Sequence, residues 1–263
     1  MEINLFKRIG KGEYPSRLFI GGLHGKEGLS TIHAIKSVED IDIKEGKLVI
    51  CNLTPSPYLS TLDPLYYLSL AGMKVIELIK KYQPKIYLEL HCYHPDKKNK
   101  LINKDRKDLF GVPGLVELEE GVMIGSTSPL IRSVFFDLND FPFILEMPCD
   151  PSAESLKVSN NIMKIVARST DRREIMEEIR RIYPEQIQLL NEYFTDFSQN
   201  FWPAFQETKK NVANIELKTF QDLDGLITGI IREERFNLNS AQLKQLGQAL
   251  MVWREYNLQN HVD

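Results

Sequence analysis

The sequence lacks long hydrophobic runs and lacks a strong charge of either sign. Its 263 residues carry a formal net charge of −3, which favours neither nucleic acid nor anionic lipid as a binding partner. No segment approaches the length of about 20 apolar residues that a membrane-spanning helix needs. The first residues, MEINLFKRIG, do not resemble a secretory leader. We therefore expect a cytoplasmic protein that binds neither membranes nor nucleic acids.

Cysteine is also scarce. Cys51, Cys92 and Cys149 are an odd number without zinc-finger spacing, which argues against a disulfide framework and is typical of a reducing compartment. We expect Cys92 and Cys149 to be small buried hydrophobic residues. A hydrolase in which Cys92 or Cys149 is the nucleophile is an alternative. The sequence also has no GxxxxGK and no GxGxxG motif, which weakens nucleotide-dependent functions.

The first part of the chain alternates between strand-like and helix-like segments. A helix is predicted between Leu65 and Tyr82, before Pro84, and its apolar stripe contains Leu65, Leu68, Met73, Val75, Ile76 and Ile79. The segments with the composition of buried strands are RLFIG from Arg17, KLVIC from Lys47, KIYLEL from Lys85 and FPFILE from Phe141. This order predicts a mostly parallel sheet that is covered by helices on both faces.

Strand-like segments become rare after residue 168, and the apolar residues there follow helical periodicity instead. Two apolar stripes are Ile175, Ile179 and Ile182 before Pro184, and Leu190, Tyr193, Phe194, Phe197 and Phe201 before Pro203. A third helix is predicted from Leu217 to Ile231. The last predicted helix has Ser240 as its N-cap, followed at helical spacing by Leu243, Leu246, Leu250 and Trp253. We therefore predict an α/β domain over residues 1–168 and a helical C-terminal domain over residues 169–263.

Residues that suit a metal site follow three of the predicted strands. His24 and Glu27 follow the first strand, His91 follows the third, and Glu146 ends the fourth. Because ligands of open α/β sheets gather at the carboxyl ends of the strands, these four side chains could converge. A catalytic zinc site needs two imidazoles, one carboxylate and an open fourth position, and the remaining carboxylate can act as a base.

Each of these residues also has a structural interpretation. His24 and Glu27 are typical of a solvated loop, and His91 of a hydrogen-bonded histidine at a strand end. Glu146 ends an apolar strand and needs a cation, hydrogen-bond donors or a raised pKa, so a buried ion pair is the alternative there. Glu89 shares a strand face with His91 and is a candidate to hydrogen-bond it.

Four segments of the chain resemble a known superfamily. LFIGGLHGKEG is similar to the first zinc-ligand motif of the metallocarboxypeptidase superfamily, in its branch of succinylglutamate desuccinylases and aspartoacylases. LELHC is similar to the strand with the third ligand, and GSTSP and FILEMP to segments that precede and contain the catalytic glutamate. This resemblance covers residues 17–165. The chain as a whole resembles an uncharacterised archaeal family, the domain of unknown function 2119.

The superfamily resemblance carries expectations about fold and chemistry. It implies an α/β/α sandwich around a mixed, mostly parallel sheet, as in the zinc carboxypeptidases. It implies that His24, Glu27 and His91 bind one zinc ion per chain. It also implies that Glu146 is the general base and then the general acid.

The sequence departs from the superfamily in its arginines. Related enzymes carry an arginine that stabilises the oxyanion and an Asn-Arg pair that binds a substrate carboxylate, whereas CNLTPSPYLSTLDP, residues 51–64, contains no arginine. Asn52 is the candidate for the family asparagine, and Ser126 in GSTSP is a second candidate for substrate contact. Arg132 could supply the missing cation, because a guanidinium suits an oxyanion or a carboxylate. A surface arginine is the alternative.

A basic loop follows the predicted third ligand. Its cationic residues are Lys97, Lys98, Lys100, Lys104, Arg106 and Lys107. Interspersed aspartates favour a solvated mobile loop, and attraction of an anionic substrate is the alternative.

Together these patterns predict a zinc-dependent hydrolase of amide bonds, either an N-acyl amino acid deacylase or a carboxypeptidase-like enzyme. Its substrate would be a small molecule or a peptide, and a homo-oligomer is left open. The alternative is a non-catalytic metal-binding or assembly protein on a hydrolase scaffold, which binds a partner through its helical domain.

Overall fold

The computed structural model describes residues 2–213 and 236–258, and seven strands in these residues form one mixed sheet. The sheet order is β1-β3-β2-β4-β7-β6-β5. The strands are β1 (Ile3–Gly10), β2 (Ser16–Gly21), β3 (Lys47–Leu53), β4 (Ile86–Tyr93), β5 (Val116–Glu119), β6 (Val122–Ser126) and β7 (Phe141–Pro148).

Eleven α-helices lie in the same residues, and none of them is long and apolar enough to span a bilayer. They are α1 (Gly28–Ile35), α2 (Pro64–Leu68), α3 (Leu70–Tyr82), α4 (Lys98–Leu101), α5 (Arg106–Phe110), α6 (Pro129–Phe135), α7 (Ala153–Arg168), α8 (Arg172–Arg180), α9 (Pro184–Asp196), α10 (Trp202–Ala213) and α11 (Ser240–Leu258). Short 3-10 turns lie at Asp40–Asp42 and Pro95–Lys97.

All four predicted strands are confirmed, and they form the parallel centre of the sheet as β3, β2, β4 and β7. Antiparallel pairs flank this parallel centre on both sides, so the sheet is mixed, as the superfamily resemblance implied. There β1 pairs antiparallel with β3, β6 with β7, and β5 with β6. Of the outer strands, β1 escaped the sequence analysis because it is an edge strand whose residues alternate between half-buried and exposed. Such a strand has little of the continuous apolar character that marks a buried strand.

Helices cover both faces of the sheet in the described part of the chain. Successive side chains of a strand point to opposite faces. Phe19 therefore belongs to one core together with residues of α1, α7 and α8, and Leu18 to a second core with residues of α2, α3 and α6. Elements beyond residue 168 join both cores, since Ile175 and Ile187 belong to the first and Val252 to the second. The division into two domains at residue 168 stays a prediction.

The predicted helix between Leu65 and Tyr82 is interrupted at Ser69. The backbone of Ser69 is extended, with φ −76° and ψ 161°, and its hydroxyl accepts a hydrogen bond from the backbone N–H of Gly72 to cap α3. The break changes the buried face. Leu65, Leu68 and Met73 are exposed, which corrects the predicted stripe. The residues that α3 buries are Ala71, Gly72, Val75, Ile76, Leu78 and Ile79.

The helix containing the aromatic stripe does not end at Pro203. It continues from α9 through a π-helical turn, Phe197–Phe201, into α10. Proline lacks an N–H and crowds the carbonyl one turn earlier, and a π-turn at that point gives the chain the extra space. In the apolar stripe predicted before Pro184, Ile175 and Ile179 are buried, whereas Ile182 is exposed.

The last helix confirms its predicted apolar spacing but not its predicted cap. Leu246 and Leu250 are buried, and α11 begins at Ser240. The side chain of Asn239, one residue earlier, accepts a hydrogen bond from the backbone N–H of Gln242 at 2.8 Å, so Asn239 is the N-cap. The predicted helix from Leu217 to Ile231 lies outside the described residues.

The cysteines differ from the expectation. A disulfide joins Cys92, at the end of β4, to Cys149, which follows β7. The expectation that the cysteines are unlinked is therefore wrong for this pair, and neither can be a thiolate nucleophile while the bond exists. Cys51 is a buried free thiol whose burial raises its pKa to about 11, so it is also a poor nucleophile.

The disulfide can be tested by counting thiols. When the unreduced chain is denatured in the presence of an alkylating agent, one cysteine, Cys51, should be modified. After reduction all three cysteines should be modified, and the intact mass of the protein measures both results. Because the bond closes a long loop, Cys149→Ala should lower the free energy of unfolding by about 2–4 kcal/mol. In a Cys51→Ala control no thiol should react before reduction. Three reactive thiols in the unreduced wild type would contradict the link.

Candidate metal centre

The loop that follows β2 folds back tightly against β3. Gly22 has φ +73°, and a Cβ added there would lie 2.7 Å from Cα of Gly28 and 2.8 Å from the carbonyl oxygen of Leu53. Only glycine fits this close approach. The turn carries His24 and Glu27 over the carboxyl end of the sheet.

Asn52 holds this loop in place from the neighbouring strand. Its amide group donates to the carbonyl of Gly28 and to the side chain of Asn4, both at 2.9 Å, and accepts from the hydroxyl of Thr31 at 2.8 Å. The side chain is fully buried. Because both donors and the carbonyl oxygen are already engaged, the substrate contact predicted for Asn52 is not supported, and the residue anchors the start of α1 instead.

The structure brings together the three predicted metal ligands. Potential ligand atoms of His24, Glu27 and His91 lie within 4.8 Å of one another, and all three residues are buried. Glu27 stands between the rings, with its carboxylate oxygens 3.5 Å from Nδ1 of His24 and 3.2 Å from Nδ1 of His91. Zinc–ligand bonds measure about 2.0–2.2 Å, which places two ligand atoms of one tetrahedral ion roughly 3.4 Å apart. The separations of Glu27 from the two rings are close to that spacing.

Two observations on His24 fit a metal ligand. Its Nδ1 is buried and has no hydrogen-bond partner in the described part of the chain. Burial lowers the pKa of His24 to about 4, so the ring is neutral and its nitrogen lone pair is free to bind a cation. An unpaired buried nitrogen is costly unless a ligand satisfies it. The donor set of His24, Glu27 and His91 is that of a catalytic zinc site with an open position.

A chain of buried polar groups orients His91 along β4. The ring Nε2 of His91 lies 3.4 Å from a carboxylate oxygen of Glu89, and the hydroxyl of Tyr87 donates to the other oxygen at 3.0 Å. This confirms the contact predicted for Glu89. Tyr87, two residues before Glu89 on the same face of β4, extends the hydrogen-bonded group to three residues. A carboxylate behind a histidine fixes the ring orientation and tautomer of a metal ligand.

The charges around His91 favour its protonated form when no cation is bound. Burial disfavours a charged ring, but the carboxylates of Glu27, Glu89 and Glu146 outweigh this effect and raise the pKa of His91 well above its usual value. The pocket is thus strongly anionic. A divalent cation would replace the proton as the counter-charge of these carboxylates.

Glu146 lies beside the three ligand residues. On β7 it is the direct register partner of His91 on β4, and it is buried. Burial, together with the charge of Glu27, raises the pKa of Glu146 to about 7, against the opposing effect of His91. No described side chain donates a hydrogen bond to its carboxylate. The buried ion pair that was the alternative for Glu146 is therefore absent from the described residues.

Arg132 is not brought to this group. Its guanidinium donates to the carbonyls of Asp137 and Leu138, both at 2.7 Å, and lies over the rings of Phe197 and Trp202. These contacts hold the loop before β7. The role predicted for Arg132 at the oxyanion is not supported by its position.

Arg106 is the cation that the sequence analysis missed. It lies at the start of α5, half-buried, with one hydrogen bond to the carbonyl of Pro113 at 3.2 Å. Its charge acts on Glu146 and lowers the pKa of that carboxyl group, whereas no such effect comes from Arg132. The basic loop was predicted to be solvated as a whole, which is wrong for Arg106. A lone arginine among lysines was the signal that could have identified it.

Ser126 lies at the end of β6, in register with Phe143 and three residues from the partner of Glu146. It is exposed and lines a cavity together with Arg106 and Arg132. The substrate contact predicted for Ser126 stays a prediction.

Comparison with known proteins identifies the family. The model of the family described as "Uncharacterized protein conserved in archaea (DUF2119)" matches residues 12–199. An uncharacterized protein of Methanocaldococcus jannaschii, MJ0501, is 40% identical over 190 residues, which are 70% of this chain and 92% of that relative. No solved structure matches the chain, and the relation to the metallocarboxypeptidase superfamily stays a prediction. All four residues of the candidate site lie within the matched span, and the chain belongs to the archaeal DUF2119 family.

Proposed function

We propose that this protein is a zinc-dependent hydrolase of amide bonds, acting on an N-acyl amino acid or a peptide. The observation that carries the proposal is the grouping of His24, Glu27 and His91 around one point, beside the unpartnered carboxylate of Glu146. A metallohydrolase needs at least three metal ligands and a nearby base, and this buried cluster contains both.

The three ligand residues are proposed to hold one zinc ion per chain. A zinc ion bound there would supply a Lewis acid that polarises the scissile carbonyl and lowers the pKa of water toward about 7. Glu89 would keep the ring of His91 oriented, with Tyr87 fixing the carboxylate of Glu89 in turn.

Glu146 is proposed to move the proton. Its buried position opposite His91 suits a group that first accepts a proton from the attacking water and then gives it to the departing nitrogen. Both transfers use its carboxylate oxygens, which no described side chain occupies. Arg106 is proposed to stabilise the negative charge that develops on the carbonyl oxygen, in the role first predicted for Arg132.

The finer fold assignment is part of the same proposal. We propose a metallocarboxypeptidase-like α/β/α sandwich, because the site is built at the carboxyl ends of three adjacent parallel strands. His24 and Glu27 follow β2, His91 lies on β4, and Glu146 lies on β7. In α/β proteins, ligand sites typically form at this edge of the sheet, where residues that are distant in sequence come together.

Metal binding gives the first test. The purified chain should contain about one zinc ion per molecule, and His24→Ala should reduce the zinc content to near zero because one of three ligands is lost. His33→Ala is the matched control, since His33 is an exposed histidine on α1 nearby and should keep its zinc. Metal analysis of the three proteins measures the effect. A wild-type chain that takes up no zinc would contradict the metal site.

Catalysis gives the second test, and it separates an enzyme from a non-catalytic scaffold. A screen of acyl-amino acids and peptides with the zinc-loaded chain should find hydrolysis that a chelator abolishes. Glu146→Gln should keep zinc but lower kcat by about 100-fold to 10,000-fold, because the glutamine side chain cannot take up the proton.

The matched control for that variant is Glu154→Gln, which removes an exposed carboxylate at the start of α7. It should leave kcat unchanged. If Glu146→Gln hydrolysed the substrate at the wild-type rate, Glu146 would not be the base, whereas a chain that binds zinc without any turnover would support the scaffold alternative.

A further inference from the structure

A cavity lies between the loop after α5, strands β6 and β7, and helix α9, and Arg106, whose charge acts on Glu146, is part of its wall. Its volume is about 140 Å³. A cavity of about 150 Å³ lined by apolar side chains is enough to bind benzene. Aromatic side chains form much of the wall: Phe141, Phe143, Tyr193, Phe194, Phe197 and Phe201. The cavity therefore suits an apolar group about the size of one aromatic ring.

Three arginines line the same cavity, and none of them forms an ion pair within the described residues. They are Arg106, Arg132 and Arg172. The two aspartates in the cavity wall are already paired, Asp140 with Lys85 at 3.1 Å and Asp196 with Lys107 at 2.9 Å. A cavity with unpaired guanidinium groups and neutralised carboxylates attracts an anion.

Arg172 is the least satisfied of the three. Its guanidinium lies 3.2 Å from the centroid of the Phe194 ring and makes no hydrogen bond to a described residue. Burial lowers the pKa of Arg172 to about 10. Burial lowers the pKa of Arg132, and the charge of Arg172 adds to this effect while the charges of Asp140 and Asp137 oppose it. Two neighbouring guanidinium groups repel each other, and an anion between them would remove that repulsion.

Thr127 gives an independent indication of a ligand. The residue lines the cavity and is only 2% exposed, yet its hydroxyl has no hydrogen-bond partner among the described residues. A buried hydroxyl without a partner is costly, and an oxygen atom of a ligand in the cavity would satisfy it.

We infer that this cavity is a binding site for an organic carboxylate with an aromatic or similarly sized apolar body. The carboxylate binds to Arg172, because its guanidinium presents paired donors that match the two oxygens. Arg132, which already donates to the carbonyls of Asp137 and Leu138, adds positive charge beside it. The apolar body lies against Phe194 and Phe197. The site goes beyond the proposed hydrolysis, since binding there requires no metal.

Titration calorimetry with 3-phenylpropionate tests the site in the wild-type chain. The carboxylate should bind at least tenfold more tightly than its neutral amide, because a hydrogen bond to a charged group is lost with the amide. Acetate, which lacks the apolar body, should also bind at least tenfold more weakly. The same affinity should be measured with and without a chelator. Equal affinity for the acid and the amide, or loss of binding with the chelator, would overturn the inference.

Neighbouring arginines on α8 provide a matched pair of variants. Arg172→Gln should weaken binding of 3-phenylpropionate by about tenfold or more, whereas Arg173→Gln, at an exposed position, should leave it unchanged. Thermal unfolding checks that both variants are folded. Equal affinities in the two variants would rule out the cavity as the site. If Arg172→Gln does not fold, the difference in affinity between the acid and the amide in the wild-type chain decides whether the site binds a carboxylate. Zinc content plays no part in these results, so failure here leaves the proposed hydrolase untouched.

Discussion

The parallel pairing of β4 with β2 on one side and β7 on the other is the constraint on which the site depends. This pairing brings the loop after β2 to His91, and its register sets Glu146 directly opposite His91. A shift of one residue in the β4–β7 register would turn one of the two side chains to the other face of the sheet. The disulfide between Cys92 and Cys149 joins the same two strands just beyond the site.

The cost of this arrangement is electrostatic. Glu27, Glu89 and Glu146 are all buried, and Arg106 and a protonated His91 are the nearby cations in the described part of the chain. Burying several charges of one sign is unfavourable, and a protein retains such a cluster where function requires it. A divalent cation would relieve the repulsion. Burial is the main cause of the raised pKa of Glu146, and the charge of Glu27 adds to it.

The cavity lined by Arg106 has the opposite character. Its unpaired charges are positive and its walls are aromatic, whereas the centre is anionic and small. Arg106 lies where the two meet, because it lines the cavity and its charge acts on Glu146. The candidate centre and the cavity therefore suit different chemical groups, because their charges are opposite in sign.

The sequence by itself determined the central strands and the residue types of the centre. Apolar runs mark buried strands whatever their partners, and the polar residues after them lie at the carboxyl edge of any parallel sheet, which is why His24, Glu27, His91 and Glu146 could be named. Tertiary structure alone decided that Arg106 and not Arg132 approaches Glu146, that Asn52 anchors a loop, and that Cys92 meets Cys149. The physical reason is that periodicity records burial along one segment, whereas the partner of a side chain depends on the register and packing of segments far apart in the chain.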